Sequence, residues 1–164
     1  MPRKSRTGRV LVVDDEPLIR WSLTETLEQR GYDVVEAADG RGAILAIGDG
    51  SSPFDAVLLD FRLPDSNDLT LLATLKGLAP AAPIILMTAF GTPEIAGRAL
   101  ELGAFRVVGK PFVVNDMAAL VAQDHDRRRV DGRGGWGDDT HCYDLARGAR
   151  ANAGVGTGGR QHVG

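Results

Sequence analysis

Apolar runs alternate with amphipathic segments along the chain as far as about residue 123. Continuous apolar runs such as 10–13 are typical of parallel strands that are covered on both faces. Apolar residues four positions apart, as in Ile19, Leu23 and Leu27, predict a helix with one apolar face. We therefore predict five strands, each followed by a helix, at 10–13, 32–36, 54–59, 83–87 and 105–108.

Residues that favour helix starts stand between these runs. Pro17 and Pro93 suit the first turn of a helix, and Asp39 and Thr92 suit N-caps. Strict alternation of strands and helices indicates a parallel sheet with helices on both faces, because each crossover between parallel strands is right-handed. The predicted fold class is therefore α/β.

Polar side chains stand at the ends of four of the predicted strands. Asp14 and Asp15 follow the first strand, and Asp60 ends the third. Thr88 ends the fourth strand, and Lys110 follows the fifth. The carboxyl ends of parallel strands meet at the sheet edge where open α/β sheets bind their ligands. We therefore expect these side chains to lie close together.

This set of side chains suits phosphoryl chemistry. Converging carboxylates raise the pKa of at least one of them unless a cation lies between them, and Mg²⁺ fits because it prefers oxygen ligands. Asp60 stands alone at its strand end, which suits a nucleophile that forms an acyl phosphate. Lys110 would supply positive charge to the phosphoryl group, and Thr88 a hydrogen bond. The sequence predicts a magnesium-assisted phosphoryl acceptor, with Asp14 and Asp15 as metal ligands.

Composition and charge limit the kinds of partner that the protein is expected to bind. The chain has 19 Lys and Arg residues against 22 Asp and Glu residues, a net charge of −3. This balance attracts neither nucleic acid nor a membrane surface, so we expect no direct binding to either. No apolar run has transmembrane length, and the apolar run after the basic N-terminus is too short for a signal peptide. The single cysteine, Cys142, fits a reducing cytoplasm, which is the expected location.

The alternating pattern is lost from Asp124 onward. Gly, Arg, Asp and Ala dominate this part of the chain, and its few aliphatic residues cannot offset the entropy of ordering it. We predict a flexible N-terminus at 1–7, a folded domain at 8–123 and a disordered tail at 124–164.

Four short motifs contain the side chains at the strand ends: Val12-Val13-Asp14-Asp15-Glu16, Leu58-Leu59-Asp60, Met87-Thr88-Ala89 and Lys110-Pro111-Phe112. Together these motifs resemble the receiver domain of two-component response regulators. Within that family, Leu18-Ile19-Arg20-Trp21 and Gly103-Ala104-Phe105 resemble receivers of the nitrogen-regulation, enhancer-binding type. The resemblance covers about Gly8 to Gln123.

The resemblance implies a flavodoxin-like, doubly wound sheet of five strands in the order 2-1-3-4-5. It implies that Asp60 accepts a phosphoryl group from a sensor histidine kinase or a phosphotransfer protein, and that the protein then switches conformation. Asp15 and Asp60 would bind Mg²⁺ directly, Asp14 through water, and Arg62 through its backbone carbonyl. The resemblance further implies homodimers through the fourth helix, fifth strand and fifth helix. Such a protein is not an enzyme in the usual sense, since it acts only on its own Asp60.

Three departures from the family pattern stand out. Val107 occupies the position of the aromatic switch residue, and Phe105, two residues earlier, lies on the same face of the strand. The resemblance leaves open whether Phe105 takes over this role. Asp68 replaces a usual glycine. Regulators of the enhancer-binding type carry an ATPase and a helix-turn-helix after the receiver, and we expect neither in this chain. These departures keep open the alternative of a pseudo-receiver, or interaction module, that does not switch on phosphorylation.

Two further alternatives come from other classes of protein. A phosphatase or phosphomutase with an Asp nucleophile usually has a second acid two residues later, where this chain has Arg62. A flavodoxin-like flavin carrier would place its flavin phosphate at the edge where Asp14, Asp15 and Asp60 are expected. Both alternatives are therefore disfavoured.

Overall fold

The computed structural model describes residues 6–131 of the chain. Strands and helices alternate through this range, as the apolar pattern predicts. The strands are β1 (Gly8–Val13), β2 (Tyr32–Ala37), β3 (Ala56–Asp60), β4 (Ile84–Thr88) and β5 (Arg106–Gly109). The helices are α1 (Pro17–Gln29), α2 (Gly40–Gly48), α3 (Thr70–Leu78), α4 (Pro93–Glu101) and α5 (Val114–Asp131).

The five strands form one parallel sheet in the order β2-β1-β3-β4-β5. This order confirms the predicted flavodoxin-like fold. The register pairs Val13 with Leu59, and Asp60 with Met87, so that the carboxyl ends of the central strands lie level with one another. The residues that follow these strands therefore meet at one edge.

Alternate side chains of the sheet fill two separate layers of the core. Val57 and Leu86 face α2, α3 and α4, whereas Leu58 and Met87 face α1 and α5. All four side chains are almost completely buried. Burial of each such side chain contributes roughly 1.5–3 kcal/mol to stability. This core holds the strand ends, and hence the site, in place.

The two predicted N-caps are confirmed. The Asp39 carboxylate accepts a hydrogen bond from the Gly42 backbone N–H at 2.7 Å, at the start of α2. The Thr92 hydroxyl accepts one from the Ile95 N–H at 3.3 Å, and Pro93 occupies the first turn of α4. These caps end the loops that follow β2 and β4.

Helix α5 extends beyond the predicted end of the folded domain. Helix α5 continues to Asp131, so the prediction of a disordered tail from residue 124 is wrong for residues 124–131. Asp124 is buried and forms an ion pair with Arg106 of β5 at 3.1 Å, which fastens this part of the helix to the sheet. At the other end, β1 begins at Gly8, and the Thr7 N–H donates to the Gly31 carbonyl at 3.0 Å.

Residues 1–5 and 132–164 lie outside the described range, and with them most of the predicted tail and Cys142. Among the helices of residues 6–131, none combines the length and the apolar character that crossing a membrane requires.

Candidate functional site

Three acidic side chains meet at the carboxyl edge of the sheet. Asp14 and Asp15 directly follow β1, and Asp60 is the last residue of the neighbouring strand β3. One carboxylate oxygen from each of the three residues lies within 4.8 Å of the others. Asp14 and Asp60 are buried, and Asp15 is exposed. The structure thus brings together the three acids that the sequence places at strand ends.

Lys110 lies among these acids. Its ammonium Nζ donates to Asp14 Oδ2 at 2.9 Å and lies 3.3 Å from Asp60 Oδ2. Burial lowers the pKa of Lys110, but its hydrogen bond and charge interaction with Asp14, together with Asp60, outweigh burial and raise the pKa above its ordinary value. The lysine is therefore charged at neutral pH and partly neutralises the acidic group.

The pKa of Asp60 is raised to about 6. Burial is the largest cause, and the nearby charge of Asp14 is the second. Lys110 and the Arg62 backbone N–H, which donates to Asp60 Oδ1 at 3.4 Å, act in the opposite direction. Because this pKa lies below 7, the Asp60 carboxyl is mainly ionised at neutral pH, the form in which a carboxylate can act as a nucleophile.

Asp14 is held in place by the chain around it. Its Oδ1 accepts from the Glu16 N–H at 2.9 Å, and its own N–H donates to the Ala37 carbonyl at 3.1 Å. The Arg20 guanidinium donates to the Asp14 carbonyl at 2.7 Å. Asp14 is thus fixed, whereas the exposed Asp15 carboxylate faces solvent.

The donor set fits Mg²⁺. All three candidate ligands are carboxylates, and one of them is open to solvent, which suits an ion that retains several of its water ligands. Asp15 and Asp60 would hold the ion, with Asp14 beside them. A bound divalent cation would also oppose the repulsion that raises the pKa of Asp60.

Thr88 ends β4, one residue beyond the Met87 that pairs with Asp60. Its side chain is buried, and its hydroxyl oxygen accepts a hydrogen bond from the Phe90 N–H at 3.2 Å. Because the oxygen is the acceptor, the hydroxyl proton is still available for donation. The Thr88 carbonyl accepts from the Lys110 N–H at 2.8 Å, so these two residues are held side by side. The peptide bond between Lys110 and Pro111 is cis.

Phe90 and Val107 lie in different surroundings. The Phe90 ring is exposed, and its centroid lies 4.5 Å from the guanidinium carbon of Arg62, so the loops after β3 and β4 touch each other. The sequence motifs do not single out this contact. Val107, at the family's switch position, is buried in the core on the α4 side of the sheet.

A parallel α/β sheet with three acids and a lysine at its carboxyl edge is a combination by which a family of proteins can be identified. The family model described as the response regulator receiver domain matches residues 10–122. The chain belongs to this family. The match covers β2 to β5 completely, most of β1 and the first half of α5.

Curated relatives are similar over the same region. The transcriptional regulatory protein KdpE of Mycobacterium tuberculosis is 39% identical over 110 residues, which are 67% of this chain and 47% of that protein. The DNA-binding transcriptional regulator NtrC of Proteus hauseri is 35% identical over 114 residues, which are 70% of this chain and 24% of that protein. The chain thus spans about half of one relative and a quarter of the other.

A solved structure extends the comparison. It is a response regulator protein from Burkholderia pseudomallei with a phosphorylated aspartic acid, a calcium ion and citrate. Its TM-score is 0.64 at 28% identity, with 76% of this chain and 72% of that chain covered. The likeness agrees with the sheet order and helix placement described above.

Proposed function

We propose that this chain receives signals in a two-component system, and that Asp60 accepts the phosphoryl group of a sensor histidine kinase or a phosphotransfer protein. The observation that carries the proposal is the contact of Lys110 with both Asp14 and Asp60 beside the exposed Asp15. A nucleophile, a metal-binding acid pair and a fixed positive charge then stand within one small site. The phosphorylated aspartic acid and calcium ion of the Burkholderia relative support it.

Each residue has a separate part in the proposed transfer. An Asp60 carboxylate oxygen attacks phosphorus, the bond from phosphorus to the donor's imidazole nitrogen breaks, and its electron pair stays on that nitrogen. Magnesium, when bound by Asp14, Asp15, Asp60 and the Arg62 carbonyl, supplies positive charge to the phosphoryl oxygens. Lys110 adds a second positive charge, and the Thr88 hydroxyl donates to the same group. The chain acts on its own Asp60, and water later removes the phosphate.

The proposal includes a change of conformation on phosphorylation. A phosphoryl group shifts the protein between two arrangements only as far as it binds one of them better. Thr88 and Lys110 are the groups that would make this difference, since both can bind the phosphate. We propose that the response is strong in the loops after Asp60 and Thr88 and weak on the face formed by α4, β5 and α5, because Val107 offers no aromatic ring to carry it there. Two copies would form a homodimer through this face. The protein would work in the cytoplasm and have no direct contact with nucleic acid or membrane.

Incubation with acetyl phosphate and Mg²⁺ tests the proposed function. We expect the protein to gain one phosphate that is stable in acid and labile in base, as an acyl phosphate is, and that intact-mass measurement detects. A chelator in place of Mg²⁺ should prevent the gain. Light scattering on the same sample would show a doubled mass if the phosphorylated form dimerises. Absence of phosphate incorporation would contradict the proposal and favour an interaction module without a phosphorylation switch.

Replacement of Asp15 tests the metal site. In the unmodified protein we expect Mg²⁺ to raise thermal stability, by about 2.7 kcal/mol at one hundred times its Kd, because the ion binds only the folded state. In Asp15→Ala this response should vanish, while the metal-free protein keeps its stability or gains some through reduced repulsion. Differential scanning calorimetry measures both effects. Glu28→Ala, which removes an exposed acid outside the site, is the matched control. An equal Mg²⁺ response in all three proteins would contradict the assignment.

A further inference from the structure

Asp65 joins two loops of the sheet edge. It lies in the loop between β3 and α3, and its two carboxylate oxygens accept hydrogen bonds from the first residues of α2. The Gly40 N–H donates to Oδ1 at 2.8 Å, and the Arg41 N–H donates to Oδ2 at 3.0 Å. These bonds lower the pKa of Asp65, so it is charged at neutral pH. Hydrogen bonds that involve an ionised acceptor are stronger than neutral ones.

A tight turn presents Asp65 to α2. The Leu63 N–H donates to the Ser66 carbonyl at 2.7 Å, and the Ser66 N–H donates back to the Leu63 carbonyl at 3.2 Å. Leu63 is buried in the core and anchors the turn. Asp65 is therefore held between two fixed residues, and its direction is set by the backbone of the turn.

Gly40 permits the close approach of the two segments. A Cβ atom built at Gly40 would lie 3.0 Å from Leu71 Cδ2 and 3.2 Å from Asp65 Oδ1, both tighter than ordinary contacts. Any side chain at residue 40 would push Asp65 or Leu71 away. The lack of a side chain at Gly40 thus permits the close contact between Asp65 and the start of α2.

The loop that Asp65 holds also forms part of the candidate site. It begins at Asp60 and includes Arg62, whose N–H donates to Asp60 Oδ1. In the sheet, β1 lies between β2 and β3. Asp65 therefore connects the segment after β2 with the segment after β3. These two strands lie on either side of β1, which leads into Asp14.

We infer that Asp65 is a positioning residue of this site: its bonds to α2 hold the loop of residues 61–66 so that the Arg62 backbone carbonyl is ready to bind magnesium. The inference rests on the proposed function, since it concerns the same metal ion. Residues that orient metal ligands from outside typically change metal affinity by about 10–100-fold when they are replaced. Asp65 is exposed, so we expect the lower end of this range, about tenfold.

Three variants separate this role from general stabilisation of the loop. Asp65→Ala removes both bonds to α2, and Asp65→Asn keeps one oxygen that can accept. Asp68→Ala is the matched control, because Asp68 is an exposed acid of the same loop that accepts instead from the Thr70 N–H at 2.8 Å, at the start of α3. Amide hydrogen exchange is measured on the metal-free proteins, and the Kd for Mg²⁺ is measured by calorimetry.

In Asp65→Ala we expect faster exchange at Gly40, at Arg41 and through 61–66, together with a Kd for Mg²⁺ that is about tenfold higher. Asp65→Asn should fall between this variant and the unmodified protein, and Asp68→Ala should bind Mg²⁺ as the unmodified protein does. An unchanged Kd in Asp65→Ala would overturn the inference, and so would an equal loss in Asp68→Ala. If the unmodified protein itself binds no Mg²⁺, the proposed function fails. If the unmodified protein binds Mg²⁺, the Kd of Asp65→Ala decides only whether Asp65 has the inferred role.

Discussion

Replacement of Asp60 by asparagine should abolish phosphate incorporation and at the same time stabilise the metal-free protein at neutral pH. The amide cannot act as the nucleophile, so the label from acetyl phosphate should fall to background. The amide also carries no charge, and the buried carboxylate that it replaces is repelled by Asp14. Intact-mass measurement checks the first effect. A label that survives in Asp60→Asn would show that another residue is the acceptor.

The stability effect has a defined pH dependence. The pKa of Asp60 is about 6 in the folded protein, above its ordinary value of 3.8, so protonated Asp60 favours the folded state. This stabilisation is complete below about pH 4 and is lost as the pH rises through 6. At pH 7 the charged Asp60 then lowers the free energy of unfolding by about 1–3 kcal/mol.

The asparagine variant removes this dependence. With a chelator present, urea unfolding of both proteins between pH 4.5 and 7.5 should show an advantage of Asp60→Asn that grows as the pH rises. A difference between the two proteins that is the same at every pH would contradict the raised pKa. Saturating Mg²⁺ should reduce the advantage, since the ion stabilises the ionised carboxylate of the unmodified protein.

The second large effect is expected for Lys110→Ala. Lys110 forms buried contacts with Asp14 and Asp60, and its loss leaves their carboxylates without a cation. Removal of one partner from a buried ion pair typically lowers stability by about 3–5 kcal/mol. We expect a loss of about 3 kcal/mol at pH 7 without metal, because Asp60 can take up a proton and limit the effect. Denaturant unfolding in the presence of a chelator measures it.

A double variant isolates the charge interaction in this loss. In the Asp60→Asn background, Lys110→Ala should be less destabilising, because only Asp14 is then left without its partner. Mg²⁺ should stabilise Lys110→Ala more than it stabilises the unmodified protein, since the ion restores the missing positive charge. If Lys110→Ala lowers stability equally in both backgrounds, packing of the lysine stem, and not its charge, explains the loss.

The sheet and the assembly of its edge were predictable from the sequence because both follow from repeated local patterns. Apolar runs located the strands, and parallel pairing then brought the residues after them to one edge. The sequence could not show the contacts of Asp65, since a bond between an exposed acid and two backbone N–H groups 25 and 24 positions earlier leaves no periodic signal. The same holds for Phe90, whose contact with Arg62 joins two loops.

The end of the domain was misplaced for a related reason. Asp124 stands in a charged stretch, which favours a solvent-exposed segment in a sequence pattern. In the structure Arg106 compensates its charge through three hydrogen bonds of 3.1–3.2 Å, and Asp124 is therefore buried. A partner 18 positions away on another element decides whether a charged residue belongs to the core or to the surface.

The hydrogen bond from Lys110 to Asp14 joins residues that are 96 positions apart. During synthesis on the ribosome, the acids of β1 and β3 emerge long before their lysine does, and the lysine can reach them only after β5 has paired with β4. A growing chain therefore holds an unneutralised pair of carboxylates until the last strand of the sheet is in place. If Asp60 accepts phosphate as proposed, the site would become complete only at the end of folding, and a phosphodonor would modify finished molecules but not nascent ones.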